Sequence, residues 1–288
     1  MKILKTKIAL RQWASANDCH APSHSIGFVP TMGALHEGHL SLIRTSKKEC
    51  QKTIVSVFVN KLQFSPNEDF NTYPRFIEKD IQQLENEEVD VLFCPDTEEL
   101  CPDDLSFQIN ETKIAHELEG ASRSHFFSGV CLIVLKLFNI VQPSRVYFGE
   151  KDIQQLYVIQ KMIKDFNMSI QLIGCPTVRE KNGLAMSSRN QYLSTNEKEE
   201  AAILYQALTS GRKEILEGER DVKSIINMIS EKIANKNIRI DYLEIRDLAT
   251  FDKIKDDILK PTWYKQPIVI VAAVYYKKVR LIDNVILK

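Results

Sequence analysis

The run Ile26-Gly27-Phe28-Val29 leads at once into Pro30-Thr31-Met32-Gly33-Ala34-Leu35-His36-Glu37-Gly38-His39-Leu40, and no other stretch limits the fold of this chain as tightly. Continuous apolar residues fit a strand buried on both faces, while Leu40, Leu42 and Ile43, ending in Lys47-Lys48-Glu49, fit a helix. A buried strand handing over to a helix through a glycine-flanked loop is the building unit of an open α/β sheet. Such a sheet binds phosphate at this point, because unpaired backbone N–H groups and the helix dipole face outward there. His36 and His39, three residues apart, share one helix face and offer ring N–H donors to a nucleotide triphosphate. A single histidine near a helix start is more often a cap, but a pair between Gly33 and Gly38 points to a nucleotide site. The glycine spacing imitates a P-loop, yet His39-Leu40 stands where that motif needs Lys and Ser or Thr. Walker-type chemistry is therefore not expected, and the absence of any G-x-G-x-x-G argues against a dinucleotide fold.

The same rhythm repeats along the first part of the chain. Strands are expected at 26–31, 53–59, 89–93, 145–148 and 169–174, alternating with helices at 40–50, 76–86, 129–141 and 152–166. The run Ile54-Val55-Ser56-Val57-Phe58-Val59 again implies burial on both faces, so the fold class is a doubly wound α/β domain with a parallel sheet. Residues 94–128 interrupt the pattern as an inserted loop with a short strand at 107–109. After about Gly183, Ser194-Thr195-Asn196-Glu197 forms a capping-box pattern that opens a long helix through Leu208. A second helix near 222–234 and strands at 238–245, 268–276 and 278–286 then suggest a small antiparallel sheet. Two domains follow, 1–183 and 184–288, the second a smaller α+β lid.

Charge and cysteine usage exclude several classes. Thirty-eight basic and 38 acidic residues cancel, so no global field recruits nucleic acid or an acidic membrane surface. The opening Met1-Lys2-Ile3-Leu4-Lys5 alternates too soon for a signal peptide, and no apolar run has spanning length. The six cysteines form no C-x-x-C pair; most read as buried thiols and all are expected to be reduced, which makes the cytoplasm the expected compartment. His20, His24, His116 and His125 lack metal-ligand spacing, and the first two fit a surface loop.

Three further segments fall at strand ends or near the domain junction. Asn60 and Gln63, in Asn60-Lys61-Leu62-Gln63-Phe64, carry amides suited to a small polar substrate. In Phe148-Gly149-Glu150-Lys151-Asp152-Ile153-Gln154-Gln155, Lys151 can reach phosphate oxygens, Asp152 suits a first helical turn, and Gln155 projects from the same side as Lys151. In Leu184-Ala185-Met186-Ser187-Ser188-Arg189-Asn190, two hydroxyls and a guanidinium follow a glycine, as in a flexible phosphate clamp. No catalytic triad or close carboxylate pair is evident. Positioning and charge stabilisation remain, which suits phosphoryl or adenylyl transfer.

Taken in order, residues 30–39, 58–64 (FVNKLQF), Tyr73-Pro74-Arg75, 118–123, 138–143, 148–155, 183–192 and 280–284 resemble the pantoate–β-alanine ligase family. The first motif is similar to the His-Ile-Gly-His element of the nucleotidylyltransferase superfamily, and Met186–Arg189 to its Lys-Met-Ser-Lys-Ser counterpart. The resemblance implies a Rossmann-like nucleotidylyltransferase sheet and a two-step reaction. Pantoate and ATP give pantoyl adenylate and pyrophosphate; β-alanine then displaces AMP to give pantothenate. It implies an ATP site lined by Met32, Gly33, His36, Gly38, His39, Gly149, Glu150, Lys151, Asp152, Val178, Met186, Ser187, Ser188 and Arg189. Of these, His36, His39, Lys151, Ser187, Ser188 and Arg189 would meet the charge building on the phosphates, with Mg²⁺ on the β and γ oxygens. Gln63 and Gln155 would hold pantoate, and Gln63 also β-alanine, with Asn60 and Arg123 on the same substrate side. A homodimer is implied as well.

The chain departs from the family in two places. Asn60-Lys61-Leu62-Gln63 stands where Asn-Pro-Thr-Gln is usual. In Arg123-Ser124-His125-Phe126-Phe127-Ser128-Gly129, against Arg-Pro-Gly-His-Phe-x-Gly, Phe126 takes the histidine slot, and His125 is expected to turn inward in its place. Two other readings fit the same residues: a nucleotidylyltransferase that leaves AMP on its product, and a non-catalytic nucleotide-binding homologue. The amides at 60, 63 and 155 favour the ligase over the first, and the intact histidines, Lys151 and Ser187-Ser188-Arg189 favour it over the second.

Overall fold

A computed structural model of the chain describes residues 1–17, 25–66, 68–234, 237–254 and 267–288. These residues divide into two compact units, the first made of 1–150 and 154–176 and the second of 151–153 and 177–288. Cys19, His20 and His24 lie outside the described residues.

The first unit is a six-stranded, wholly parallel sheet. Its strands are β1 (Lys2–Leu4), β2 (Ile26–Thr31), β3 (Lys52–Val57), β4 (Val91–Phe93), β5 (Arg145–Gly149) and β6 (Gln171–Cys175), in spatial order β1-β4-β3-β2-β5-β6. From β2 the sheet grows through β3 to one side and through β5 to the other. The strand order therefore reverses between β2 and β5, which is the switch point where doubly wound sheets bind ligands. Phe28, Val29, Ile54, Val55, Val91, Leu92 and Phe93 are fully buried, as strands covered on both faces must be.

The helices of this unit are α1 (Lys7–Ala16), α2 (Glu37–Glu49), α3 (Ile77–Asn86), α4 (Thr97–Leu100), α5 (Glu119–Ser122), α6 (Phe126–Val141) and α7 (Ile153–Asp165). The strand β1 and helix α1 carry no clear sequence signal. β1 is a three-residue edge strand, and α1 buries only Leu10 and Ala14. The strand expected at 107–109 does not form. That segment is irregular and Phe107 is exposed, because short alternation without a neighbouring strand has no ladder to join.

In the second unit, β7 (Ile238–Asp247), β8 (Ile268–Tyr276) and β9 (Val279–Leu287) form an antiparallel sheet in the order β7-β8-β9. The helices are α8 (Thr195–Ala201), α9 (Ile203–Glu217) and α10 (Val222–Ile233). Leu204, Ala207, Leu208 and Ile215 of α9 share a core with Ile225, Ile229 and Ile233 of α10 and with Ile268, Ile270 and Ala272 of β8. The capping box at Ser194 and Glu197 forms as expected, but the single long helix does not. Ala202, buried with ψ near −15°, breaks it into α8 and α9. That angle lies closer to a 3₁₀ turn than to an α-helix, and Ala201 and Ala202 are both buried in the core.

No helix among the described residues is long and apolar enough to cross a membrane. Cys50, Cys94, Cys101, Cys131 and Cys175 are free thiols. Burial pushes the Cys131 thiol up to about 12, so it stays protonated and unreactive.

Candidate active site

The loop that leaves β2 is shaped from below by a carboxylate. Thr31 Oγ1 donates to the Ser56 carbonyl and accepts from Gly33 N–H, which turns the chain off the sheet. Gly33 has φ +81°, and a Cβ there would lie 2.9 Å from Asp80 Oδ2. Asp80, on α3 and 1% exposed, accepts the N–H groups of Ala34 and Leu35 at 2.9 and 2.8 Å. Its burial raises the carboxyl above the ordinary range against the pull of those two N–H groups. Sequence reasoning missed Asp80. Its signal is a carboxylate set into the apolar stripe Ile77, Ile81, Leu84 of an amphipathic helix.

The two histidines cap the helix they precede. His36 is the N-cap of α2, with Nδ1 accepting from Gly38 N–H at 3.1 Å, and His39 Nδ1 accepts from His36 N–H at 3.3 Å. The rings lie 4.1 Å apart between centroids, tilted by 36°. An imidazole that accepts at Nδ1 carries its proton on Nε2, so both rings are fixed in the Nε2–H tautomer. Capping and anion binding are thus compatible uses of the same rings.

The amide segment after β3 forms a compact platform in the same unit. Asn60, 3% exposed, accepts from Leu62 N–H and donates through Nδ2 to Gln63 Oε1 and to the Gly129 carbonyl, each at 3.0 Å. Gln63 Nε2 lies 3.0 Å from Met32 Sδ, which ties the platform to the loop after β2. Gly129 lets α6 approach the turn Lys61–Gln63, since a Cβ there would sit 2.2 Å from the Leu62 carbonyl oxygen.

Arg123 supports this platform from the other side. Its guanidinium donates to both oxygens of Glu68 at 2.6 and 2.7 Å and to the Gln63 carbonyl at 3.1 Å, and lies 3.9 Å over the Phe126 ring. Bidentate pairing with a stacked ring holds a guanidinium in one orientation. The expectation for His125 is overturned. Helix α6 begins at Phe126, which turns Phe126 and Phe127 into the core and leaves His125 exposed at its N-cap.

Gln154 and Gln155 separate in role. Gln154 is 4% exposed, accepts from Glu119 N–H and donates to the Ile114 and Glu117 carbonyls, so it pins the inserted loop. Gln155, next on α7, is half-buried.

In the second unit, Lys151 and Asp152 sit in a 3₁₀ turn, Glu150–Asp152, that follows Gly149 of β5 and precedes α7. Lys151 is 19% exposed, with its ammonium 3.8 Å from Asp152 Oδ2. Residues 178–186 form a narrow hairpin: Met186 N–H donates to the Val178 carbonyl, Glu180 N–H to the Leu184 carbonyl, and Arg179 bridges Ala185. The hairpin delivers Ser187 as N-cap of the turn Ser188–Tyr192, where its Oγ accepts from Arg189 N–H. Asn190 braces this exit by donating to Glu180 Oε1 and the Ala185 carbonyl. Among the described residues, no three His, Cys, Asp or Glu side chains gather as a metal site.

Residues 2–286 match the family model described as pantoate-beta-alanine ligase. The chain is similar to a pantothenate synthetase of Thermosipho africanus, 46% identical over 263 residues that cover 91% of this chain and 92% of that relative. It is also similar to the solved pantoate-beta-alanine ligase (pantothenate synthetase) of Thermus thermophilus, with TM-score 0.90, 38% identity and 99% coverage of both chains. The Francisella tularensis pantoate-beta-alanine ligase, solved with beta-gamma ATP and beta-alanine, matches with TM-score 0.76 and 37% identity over 99% of this chain and 97% of that one.

Proposed function

Since the chain belongs to the pantoate–β-alanine ligase family, we propose that its paired imidazoles, Lys151 and the Ser187-Ser188-Arg189 turn carry the adenylation half of that family's reaction. The protein condenses pantoate with β-alanine at the expense of ATP, giving pantothenate and AMP. In the reading proposed, a pantoate carboxylate oxygen attacks the α-phosphorus, the bond to the β-phosphate oxygen breaks, and pyrophosphate leaves. The β-alanine nitrogen then attacks the acyl carbon of pantoyl adenylate, and the bond to AMP breaks.

The observation that carries the reading is the imidazole pair at the head of α2, where both Nδ1 atoms accept backbone N–H groups. That bonding sets both Nε2–H groups as donors for phosphate oxygens beside the positive end of a helix dipole. Met32, Gly33, Gly38, Gly149, Glu150, Asp152, Val178 and Met186 complete the proposed ATP contacts. Lys151, Ser187, Ser188 and Arg189 add charge and hydroxyl donors where negative charge develops on the leaving pyrophosphate. Mg²⁺ would arrive on the phosphates as part of the substrate and neutralise their charge.

Gln63 and Gln155 hold the pantoate in this proposal, and Gln63 also meets β-alanine. Asn60 orients the Gln63 amide, and Arg123, engaged with Glu68 and the Gln63 carbonyl, supports it from behind. Holding both reactants at attacking distance supplies most of the acceleration, so no general base is needed for the first step. A cytoplasmic homodimer completes the proposal, with light scattering as the check on assembly.

The test is pyrophosphate release from Mg·ATP and pantoate, with and without β-alanine, while pantothenate is followed by mass. Pantoate-dependent release without β-alanine, with pantothenate appearing only when the amine is added, is the expected result. Release that depends on β-alanine from the outset would rule out a free-standing adenylation step. His36→Ala and His39→Ala are expected to lower that release by about 10²-fold or more.

A further inference from the structure

Asp283 and Asn284 stand side by side in β9 and are only 4% and 5% exposed. A strand that packs Leu281, Val285 and Leu287 into its core gains nothing from burying a carboxylate and an amide unless both are satisfied. Each is satisfied by a segment that carries a proposed phosphate-binding group. Successive side chains leave a strand on opposite faces, so the pair reaches two places at once.

Asp283 takes Arg179 in a bidentate pair at 2.6 and 2.9 Å. Arg179 in turn donates to the Gly183 carbonyl at 3.1 Å, and its guanidinium lies 3.5 Å over the Tyr205 ring. The hairpin that delivers Met186 to Arg189 is therefore fastened to β9 at its turn. Asn284 Nδ2 donates to the Lys151 carbonyl at 3.0 Å, across 133 positions of sequence. Asp283 Oδ1 also accepts Asn284 N–H at 2.8 Å, which locks the two residues to each other.

We propose that Asn284, backed by Asp283, is a positioning residue for adenylation: its amide fixes the Lys151 backbone so that the ammonium stays in register with the Ser187–Arg189 turn. Asn284 itself touches no substrate. The inference rests on the reading of Lys151 as a phosphate-binding group. It extends that reading by placing the control of Lys151 in the last strand of the chain rather than in the loop that bears it.

The experiment compares Asn284→Ala and Asn284→Asp in the wild-type and Lys151→Ala backgrounds. The second variant keeps the side-chain size but removes the donor. Pantoate-dependent pyrophosphate release is measured alongside AMP release from supplied pantoyl adenylate and β-alanine, with melting temperature as a control for folding. Losing one buried hydrogen bond that positions a charged group is expected to slow pyrophosphate release about tenfold. AMP release, in which no pyrophosphate leaves, is expected to stay within about twofold. In the Lys151→Ala background the Asn284 effect is expected to vanish, because the group it positions is gone.

An Asn284 effect that persists in full without Lys151, or that strikes both half-reactions equally, overturns the proposal and makes Asn284 a structural residue only. Unchanged pyrophosphate release in both Asn284 variants overturns it too. Unchanged release in Lys151→Ala alone instead refutes the underlying role of Lys151. If Asn284→Ala does not fold, Asn284→Asp carries the same comparison.

Discussion

Replacing Gly129 by alanine tests whether the amide platform is set by the close approach of α6. The added Cβ would lie 2.2 Å from the Leu62 carbonyl oxygen, 2.4 Å from its carbon and 2.8 Å from Gln63 N. All three are backbone atoms, so no side chain can swing aside. The Lys61–Gln63 turn must retreat by about 0.8 Å for the nearest contact to reach 3.0 Å. Overpacking of this kind costs roughly 1–3 kcal/mol, while alanine in a helix returns about 1 kcal/mol over glycine. Net destabilisation is then only about 0–2 kcal/mol, a shift of a few degrees in melting temperature. Activity is expected to suffer more. A misplacement near 1 Å can cost about 10²-fold, and the displaced turn carries Gln63 and follows Asn60, whose amide donates to the Gly129 carbonyl. Steady-state rates with pantoate varied at saturating Mg·ATP and β-alanine should show kcat/KM for pantoate down by about 10²-fold, with KM for ATP within about twofold. A wild-type pantoate profile with an unchanged melting temperature would show that the turn yields freely and refute the argument. Equal losses for pantoate and ATP would show general damage instead.

Other perturbations probe the remaining supports. Asp80→Asn can satisfy only one of the Ala34 and Leu35 N–H groups and turns its NH₂ toward the other. Destabilisation of about 3 kcal/mol in urea, together with a raised KM for ATP, is expected, and a stable variant with normal ATP kinetics would deny Asp80 its hold on the loop. Phe126→Leu removes the ring beneath Arg123 and is expected to cost about 1 kcal/mol and to raise the pantoate KM several-fold; wild-type stability with an unchanged pantoate KM would refute the ring's role. Glu197 is held down to about 2, first by the Lys277 ammonium and then by the Ser194 backbone N–H. Its folded value lies below the unfolded one, so its contribution to stability is whole above about pH 4.5 and is lost as pH falls through about 2. Carboxyl NMR should place its midpoint near 2 and move it toward the ordinary range in Lys277→Ala; a midpoint above 4 in the wild-type protein would contradict the ion pair.

The parallel sheet was legible because its strands are continuous apolar runs, and a run such as 54–59 has only one comfortable home, between two layers of helix. The β2-to-α2 unit was legible for a second reason, the loop residues that cannot continue either element. Failures followed the same physics. β1 is too short and too exposed to carry a pattern, and its pairing with β4 is a property of the finished sheet. The segment 107–109 had a pattern but no partner strand. At α6 the expected start, Gly129, lay one turn late, which put His125 on the wrong side of the entry and hid Phe126 and Phe127 in what read as loop.

The candidate site divides along a similar line. Residues that would touch ligand, such as His36, His39, Gln63, Lys151 and Ser187, stand next to strand ends or in glycine-bearing loops and announce themselves by chemistry that a plain loop does not need. The groups that orient them come from elsewhere in the chain. Asp80 reaches back 46 positions to Ala34, Glu68 grips Arg123 across 55, and Asn284 reaches Lys151 across 133. No local pattern encodes such pairings, but each leaves a trace: a carboxylate in an apolar stripe, or two polar residues in a core strand. The departure at Phe126 fits the same logic. With Arg123 held in a bidentate pair by Glu68, the neighbouring slot needs a flat face for the guanidinium, and a phenyl ring supplies one without a hydrogen-bonding group to satisfy in a site that is 9% exposed. The hold of Arg123 on the Gln63 carbonyl therefore rests on a ring face at position 126 and not on a base.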